Sequence, residues 1–206
     1  RFLSSFNSRD GELMDKITKA LKSSIETKQK ILVDQNLLTI IAQITEEITA
    51  ALRNNHKILF CGNGGSAADA QHLAAELSGR FYLDREPLFA EALHVNTSYL
   101  TAIANDYSFE ETYPRLVKAF GQKSDVLIGL PTSGNSKNVV KALETANQLA
   151  MITIGFTGET GGQMKNLCKH LINVPSTDTP RIQEAHLTIG HIICELVEDE
   201  IFGKKA

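Results

Sequence analysis

Residues 57–76 read Lys-Ile-Leu-Phe-Cys-Gly-Asn-Gly-Gly-Ser-Ala-Ala-Asp-Ala-Gln-His-Leu-Ala-Ala-Glu, a pattern that joins a strand to a helix through a glycine-rich turn. The apolar run at residues 57–61 predicts a buried strand. The three glycines before Ser66 allow a tight turn whose backbone N–H groups can approach an anion closely. We expect Ser66 to cap the following helix. Because a helix start offers free N–H donors and a positive dipole end, this segment predicts an anchor for a phosphorylated or hydroxyl-rich ligand.

Two polar residues of this helix, His72 and Glu76, lie four positions apart and therefore on one face. Their spacing suits two ligands of one metal ion, or a base and the partner that orients it. A surface hydrogen bond would explain the pair equally well, and similar glycine turns occur in α/β folds without a ligand. The turn lacks the Lys-Ser/Thr ending of a P-loop and the glycine spacing of a dinucleotide site, which disfavours a nucleotide.

The composition limits the size of the protein and its partners. The chain has 206 residues, enough for one domain with a full core and a helical appendage. Its net charge of −3 and its pI near 6.1 indicate no basic surface for nucleic acid or an anionic membrane. We therefore expect no nucleic acid and no membrane among its partners, and a small soluble ligand instead.

Three cysteines, Cys61, Cys168 and Cys194, lie far apart in apolar segments. Their odd number and wide spacing predict reduced core thiols rather than disulfides or a cysteine-rich zinc site. The sequence shows no apolar run near the roughly 20 residues of a membrane span and no signal-peptide core. These features predict a cytoplasmic protein.

The N-terminal part of the chain has a helical pattern. Residues 10–55 carry apolar side chains at helical spacing, with no Gly or Pro after Gly11, and predict two long helices. Their apolar faces exceed what one small sheet can cover, so packing on another subunit and packing on the same domain are both open. We divide the chain into N-terminal helices for oligomerisation, residues 1–55, and a ligand-binding domain, residues 56–206.

Beyond residue 56, short apolar runs alternate with helical segments, which is typical of an α/β fold. The predicted strands are residues 57–61, 88–94, 125–130, 151–157 and 170–174. The predicted helices are residues 66–78, 97–105, 135–148, 162–167 and 181–201. Crossovers of this length require parallel pairing, so we expect a five-stranded, doubly wound, flavodoxin-like sheet with helices on both faces. Ligands then bind at the carboxyl ends of the strands.

A second polar loop, Pro-Thr-Ser-Gly-Asn-Ser at residues 131–136, follows the third predicted strand at that same edge. Thr132, Ser133 and Ser136 offer hydroxyls, and the helix start adds N–H donors, which suits a phosphate group. The same residue types are also common in turns and caps. The two loops together favour a sugar-phosphate site.

Two further segments carry polar candidates. Asn105 and Asp106 end a predicted helix, where they could cap the chain or hold sugar hydroxyls. Gln183 and His191 lie on the last helix among apolar residues, so His191 could be a core histidine or a ligand. Their separation is about 12 Å along an ideal helix, long for two ligands of one ion unless they lean together or the site uses more than one subunit.

Several motifs, in order along the chain, resemble the sugar isomerase (SIS) domain family. They are Cys-Gly-Asn-Gly-Gly-Ser at 61–66, residues 69–80, Thr-Ala-Ile-Ala-Asn-Asp at 101–106, Thr-Ser-Gly-Asn-Ser at 132–136, Thr157-Gly158 with Gly161-Gly162, and Arg-Ile-Gln-Glu-Ala-His at 181–186 continuing to His191. The match extends over residues 57–202, and the helical N-terminus agrees in type.

The resemblance implies an SIS domain in a homotetramer with active sites between subunits. The implied activity converts D-sedoheptulose 7-phosphate to D-glycero-D-manno-heptose 7-phosphate for the heptose of lipopolysaccharide or another surface polysaccharide. By position in the family, one zinc ion per subunit would be bound by His72, Glu76, Gln183 and His191. The implied substrate contacts are Asn63, Gly64, Gly65, Glu76, Asn105, Asp106, Thr132, Ser133, Ser136 and Gln183.

An aldose/ketose isomerisation moves a proton between C1 and C2 through an enediol, so it needs a base at carbon and an acid/base at oxygen. We expect Glu76 to be the catalytic base at carbon and His191 to be the catalytic group at the oxygens. Zinc could polarise the carbonyl or chiefly hold the site together. No redox cofactor is required, since the electrons stay within the sugar.

Pro131 departs from the family pattern, which has Ser there, so one hydroxyl and one backbone donor are missing from the predicted phosphate loop. Two alternatives to this function stay open. One is a non-catalytic SIS scaffold that binds the bacterial replication initiator, and the other is an SIS enzyme for another sugar phosphate. Glu76 and His191 favour an enzyme, because the scaffold relatives lack Glu and His at these positions.

Overall fold

A computed structural model describes residues 2–203. Two helices, α1 (Phe2–Val33) and α2 (Gln35–Arg53), precede the sheet. The following elements are β1 (Ile58–Cys61), α3 (Gly65–Ser78), β2 (Ala90–Ala92), α4 (Thr97–Asp106), α5 (Thr112–Phe120), β3 (Val126–Gly129), α6 (Lys137–Gln148), β4 (Ile152–Thr157), β5 (His170–Asn173) and α7 (Thr179–Phe202). Short 3₁₀ turns occupy Phe109–Glu111 and Gly162–Asn166.

The five strands form one parallel sheet in the order β2-β1-β3-β4-β5. This order confirms the predicted flavodoxin-like, doubly wound fold. Phe60 of β1 lies between Ala92 of β2 and Ile128 of β3, which sets the register at the centre of the sheet. The chain order reverses at β1, so the loops after β1 and β3 diverge there and leave a crevice at the carboxyl edge.

Side chains alternate across the sheet and create a core on each face. Ile58 and Phe60 pack with α2, α3 and α7, whereas Leu59 and Cys61 pack with α5 and α6. All four residues of β1 are buried, as expected for a central parallel strand covered on both faces. This packing places α3 and α7 side by side on one face of the sheet.

The predicted pair of N-terminal helices is present. Asp34 separates them, and its carboxylate accepts the Leu37 N–H at 3.0 Å to cap α2. The buried side of α2 belongs to the core of the sheet, whereas α1 exposes a run of large apolar side chains: Leu13, Met14, Ile17, Leu21 and Ile25. Within residues 2–203, no helix has both the length and the apolarity to cross a bilayer.

The helix boundaries differ from the sequence prediction at several points. Ser66 does not cap α3, because the helix begins at Gly65 and Gly64 is the cap residue without a side-chain bond. Gly64 has a φ of 58°, a left-handed conformation that lets the chain enter the helix one residue earlier. Similarly, α6 begins at Lys137 rather than at 135, and α7 begins at Thr179 rather than at 181.

One helix, α5, was not predicted. Pro114 lies in the first turn of α5, where a missing N–H costs nothing. Conversely, the predicted helix at 162–167 is only a 3₁₀ turn. Two left-handed glycines, Gly161 and Gly162, start this turn and oppose a regular α-helix.

His186 fixes the start of α7 to the end of β4. Its Nε2 lies 3.1 Å from the Thr157 carbonyl, so the ring donates through Nε2, and Nδ1 is buried with no partner among the described residues. Burial lowers the pKa of His186 to about 4, against the hydrogen bond to Thr157, which raises it. The ring is therefore neutral in the folded protein at pH 7.

We expect this buried imidazole to make folding stability fall with acidity. Between pH 6.5 and 4, His186 binds a proton in the unfolded chain but not in the folded chain, so the free energy of unfolding decreases as pH falls. The loss between pH 7 and 5 should be about 2 kcal/mol. Urea unfolding of wild type and His186→Gln at both pH values measures it, and an equal pH effect in the two proteins would refute the assignment.

Candidate active site

The turn after β1 is held in place by side chains of α5 and α6. Asn63 and Asn138 exchange two amide hydrogen bonds, at 2.9 and 3.0 Å, and Asn138 is almost fully buried. The Tyr113 hydroxyl donates to the Gly62 carbonyl. Asn138 also accepts the Val139 N–H, whereas Asn63 keeps one N–H and one oxygen lone pair with which it can still bind a ligand.

A polar cavity lies at the carboxyl edge of the sheet. Its volume is about 240 Å³, and it is lined by residues after β3, β4 and β5: Thr132, Ser133, Asn135, Gly158, Glu159, Thr160, Ser176, Thr177, Thr179 and Ile182. Backbone hydrogen bonds join the three loops, from Gly158 N–H to the Thr132 carbonyl and from Glu159 N–H to the Ser176 carbonyl. The many hydroxyls suit a phosphate or a polyol.

Three of the four predicted metal ligands meet where α3 and α7 run side by side. His72 Nε2 lies 2.8 Å from His191 Nε2 and 3.1 Å from Glu76 Oε1. The ligand atoms of all three residues lie within 4.8 Å of one another. The His72 side chain is 47% exposed and the Glu76 side chain 23%, so the cluster faces outward from the helix layer.

This donor set fits zinc. Two imidazole nitrogens and a carboxylate oxygen are the three protein ligands found in many catalytic zinc sites, with the fourth position left for water or substrate. Ligands at about 2.0 to 2.1 Å in a tetrahedron are roughly 3.3 Å apart, close to the two separations observed here. Without a cation, one of the two facing imidazole nitrogens must carry a proton.

The line of contact between α3 and α7 is called the seam below. Gln183 also lies on it, nearer the start of both helices. A Cβ added to Gly65 would overlap the Gln183 amide, and Gln183 lies close enough to Asp69 to lower the pKa of its carboxyl. Asp69 precedes His72 by one turn of α3 and is buried. Burial raises the pKa of Asp69, against the opposing effects of Gln183 and His72. Polar groups therefore form a continuous row from Gln183 through Asp69 to the metal-ligand cluster.

The other predicted site residues lie outside the cluster. Asn105 and Asp106 are exposed at the end of α4, where their side chains bond each other at 2.9 Å. Ser136 is the cap residue of α6. Pro131 is buried, and its carbonyl accepts the Gly134 N–H. Pro131 does not line the cavity, whereas the neighbouring Thr132 and Ser133 do and supply hydroxyls to it.

The sequence prediction missed several polar residues of this region. Ser176, Thr177 and Thr179 line the cavity after β5, and Glu159 and Thr160 line it after β4. Their position just beyond two predicted strand ends was the available signal. Asn138, which supports Asn63, gave no such signal, because it looks like any polar residue on α6.

The parallel sheet, its polar edge cavity and the seam between α3 and α7 define an SIS-domain protein, and a family model described as SIS domain matches residues 21–158. The chain belongs to this family and, within it, to the phosphoheptose isomerases.

Relatives cover nearly the whole chain. Phosphoheptose isomerase of Clostridium acetobutylicum is 54% identical over 185 residues, which are 90% of this chain and 94% of the relative. Phosphoheptose isomerase 2 of Campylobacter jejuni is 55% identical over 181 residues, 88% of this chain and 90% of the relative. The structure of phosphoheptose isomerase from Neisseria gonorrhoeae aligns with a TM-score of 0.85 at 41% identity, covering 91% of this chain and 99% of that one.

Proposed function

We propose that this chain is a sugar-phosphate isomerase that converts D-sedoheptulose 7-phosphate to D-glycero-D-manno-heptose 7-phosphate. The observation that carries the proposal is the cluster of His72, Glu76 and His191 on the seam that begins at the polar cavity. The names of the relatives, phosphoheptose isomerase, agree with this chemistry. The product would supply heptose for lipopolysaccharide or another surface polysaccharide.

The side chains can perform a proton-transfer isomerisation. The Glu76 carboxylate takes a proton from C1 of the ketose and returns it to C2, while His191 moves a proton between the oxygens on C1 and C2. The intermediate is an enediol, and no electron leaves the sugar. Zinc, when bound, would polarise the carbonyl and stabilise negative charge on the oxygens. Since one nitrogen cannot ligate a metal and carry a proton together, His191 Nε2 serves one role at a time.

The substrate would be bound at the end of the seam where α3 and α7 begin. Thr132, Ser133 and Ser136, with the cap of α6, suit the phosphate, whereas Asn63, Gly64, Gly65 and Gln183 suit the sugar hydroxyls. His72, Glu76 and His191 would hold one zinc ion per subunit, and Gln183 is the fourth proposed ligand. The exposed side chains of Asn105 and Asp106 would contact the sugar in the site of a neighbouring subunit.

We further propose a homotetramer with active sites between subunits. The cluster faces outward, and catalysis through an enediol needs water to be excluded, so a second subunit would cover it. The N-terminal helices, residues 1–55, would form much of the contact through the exposed apolar side chains of α1. All three cysteines are free thiols, which fits the proposed cytoplasmic location.

An isomerase assay tests the function directly. Purified protein is supplied with zinc and sedoheptulose 7-phosphate, and NMR follows the appearance of the aldose. Turnover supports the proposal. Absence of turnover together with tight binding of a replication initiator would favour the scaffold alternative, and turnover only of another sugar phosphate in a panel would favour the second alternative.

Removing the Thr132 hydroxyl should weaken substrate binding without changing the chemistry. In Thr132→Val the shape is kept but a hydrogen bond to the phosphate is lost, so KM should rise about 10-fold while kcat changes less. Thr145→Val is the matched control, because the Thr145 hydroxyl only bonds the Lys141 carbonyl within α6. An unchanged KM in Thr132→Val would place the phosphate elsewhere.

A further inference from the structure

A buried ion pair joins the loop after α3 to the far end of α7. Arg85 Nε lies 2.8 Å from Glu198 Oε1, and both side chains are only 2% exposed. The Glu198 carboxylate also accepts the backbone N–H groups of Phe81, Tyr82 and Leu83, at 3.0, 2.7 and 2.9 Å. Four donors therefore converge on one carboxylate, which satisfies its charge in a site that excludes water.

Arg85 uses its remaining N–H groups on the end of α3. Its Nη1 donates to the carbonyls of Leu77 and Gly79, and its Nη2 donates to the carbonyl of Glu76. Glu76 and Leu77 belong to the last turn of α3 and Gly79 follows its last residue, so these carbonyls lie where free acceptors and the negative dipole end favour a cation. The guanidinium therefore adds to the backbone cap that Gly79 N–H makes to the Ala75 carbonyl, and one of the carbonyls that it holds belongs to Glu76 itself.

The same network reaches His191. Glu198 follows His191 by seven residues, two turns of α7, so both project from one face of the helix. Glu198 binds the backbone N–H of Phe81, and the centre of the Phe81 ring lies 5.8 Å from the centre of the His191 ring. One polar network therefore touches the backbone of one proposed metal ligand and, through Phe81, the ring of another.

We propose that Arg85 and Glu198 are positioning residues, which lock α3 to α7 so that Glu76 and His191 are held at the separation that zinc requires. The proposal rests on the proposed function, because it takes the cluster as a metal site. Neither residue touches the substrate, and their effect passes through the end of α3 and the Phe81 ring. A buried pair that served stability alone would leave the metal affinity of the folded protein unchanged.

The test compares zinc affinity in matched variants that each lose one buried carboxylate. Glu198→Gln keeps the size of the side chain but leaves Arg85 without its counter-charge. Zinc affinity, measured by competition with a chelator well below the Tm, should fall about 10- to 100-fold, as for other residues that orient metal ligands. The kcat should fall with it, with a smaller change in KM.

Asp125→Asn is the control for lost stability. Its carboxylate is also buried, pairs with Lys57 at 2.5 Å and accepts the Gln122 N–H at 2.8 Å, but it lies at the amino edge of the sheet and contacts neither α3 nor α7. This variant should lose Tm and keep its zinc affinity. Equal zinc affinities in Glu198→Gln and wild type would overturn the positioning role.

Two further measurements decide the question if Glu198→Gln does not fold. Arg85→Lys keeps the charge beside Glu198 but cannot reach the carbonyls of α3 at the same time, so it should weaken zinc binding several-fold. In the wild type, zinc should slow hydrogen exchange at the amides of Phe81, Tyr82 and Leu83, because coupling between two sites is reciprocal. Unchanged exchange and unchanged affinity would contradict the proposal, whereas a wild type that binds no zinc would contradict the proposed function instead.

Discussion

Glu76→Gln should lower the kcat for sedoheptulose 7-phosphate by about 100- to 10,000-fold, the usual contribution of a general base. The amide has nearly the size of the carboxylate but cannot take the proton from C1. The fold should persist, because Glu76 is only half-buried and its backbone carbonyl still accepts Arg85 Nη2. Steady-state kinetics and the size of the assembly in solution measure both effects.

A control for the change of charge is Glu195→Gln, an exposed carboxylate on α7. It should keep the wild-type kcat. If Glu76→Gln also retained most of its kcat, the base at carbon would have to be another group, while the metal-binding role of Glu76 would be untouched.

His191→Ala should abolish stoichiometric zinc binding and, with it, turnover. The imidazole supplies one of three ligand atoms within 4.8 Å of one another, and a carboxylate and one histidine hold zinc poorly. We expect a loss of affinity larger than the roughly 10- to 100-fold caused by outer residues of such sites. Elemental analysis after dialysis, combined with activity at saturating zinc, measures the two losses.

The comparison variant is His56→Ala, whose imidazole lies near Asp125 and away from α3 and α7. Its zinc content should equal that of wild type. Undiminished zinc in His191→Ala would show that His191 is no ligand, and a remaining loss of activity would then point to proton transfer alone.

The sequence was sufficient for the sheet because burial and alternation are local properties. The apolar run at residues 57–61 predicts a buried strand without any knowledge of its neighbours, and the long crossovers leave only parallel pairing. Helix ends were less predictable. Gly64 rather than Ser66 is the cap residue of α3, since a left-handed φ depends on the whole turn, and α5 was not predicted at all.

The candidate site also has a part that the sequence predicted directly and a part that depends on how distant helices pack. The spacing of His72 and Glu76 on one helix indicated a pair directly, whereas the arrival of His191 from 119 positions away depends on the packing of α3 against α7. Arg85 and Glu198, 113 positions apart, gave no local signal at all. Periodicity detects what a single element presents, but not which two elements will be neighbours.

The short strands at the borders of the sheet limit how copies of this protein can associate. β2 has three residues and β5 has four, and Lys169, just before β5, is paired with Glu47. Such short edge strands offer few free backbone groups to a strand from another molecule, which protects the sheet against edge-to-edge aggregation. Growth of the sheet across chains is thereby disfavoured, and contact between molecules is left to the helix surfaces.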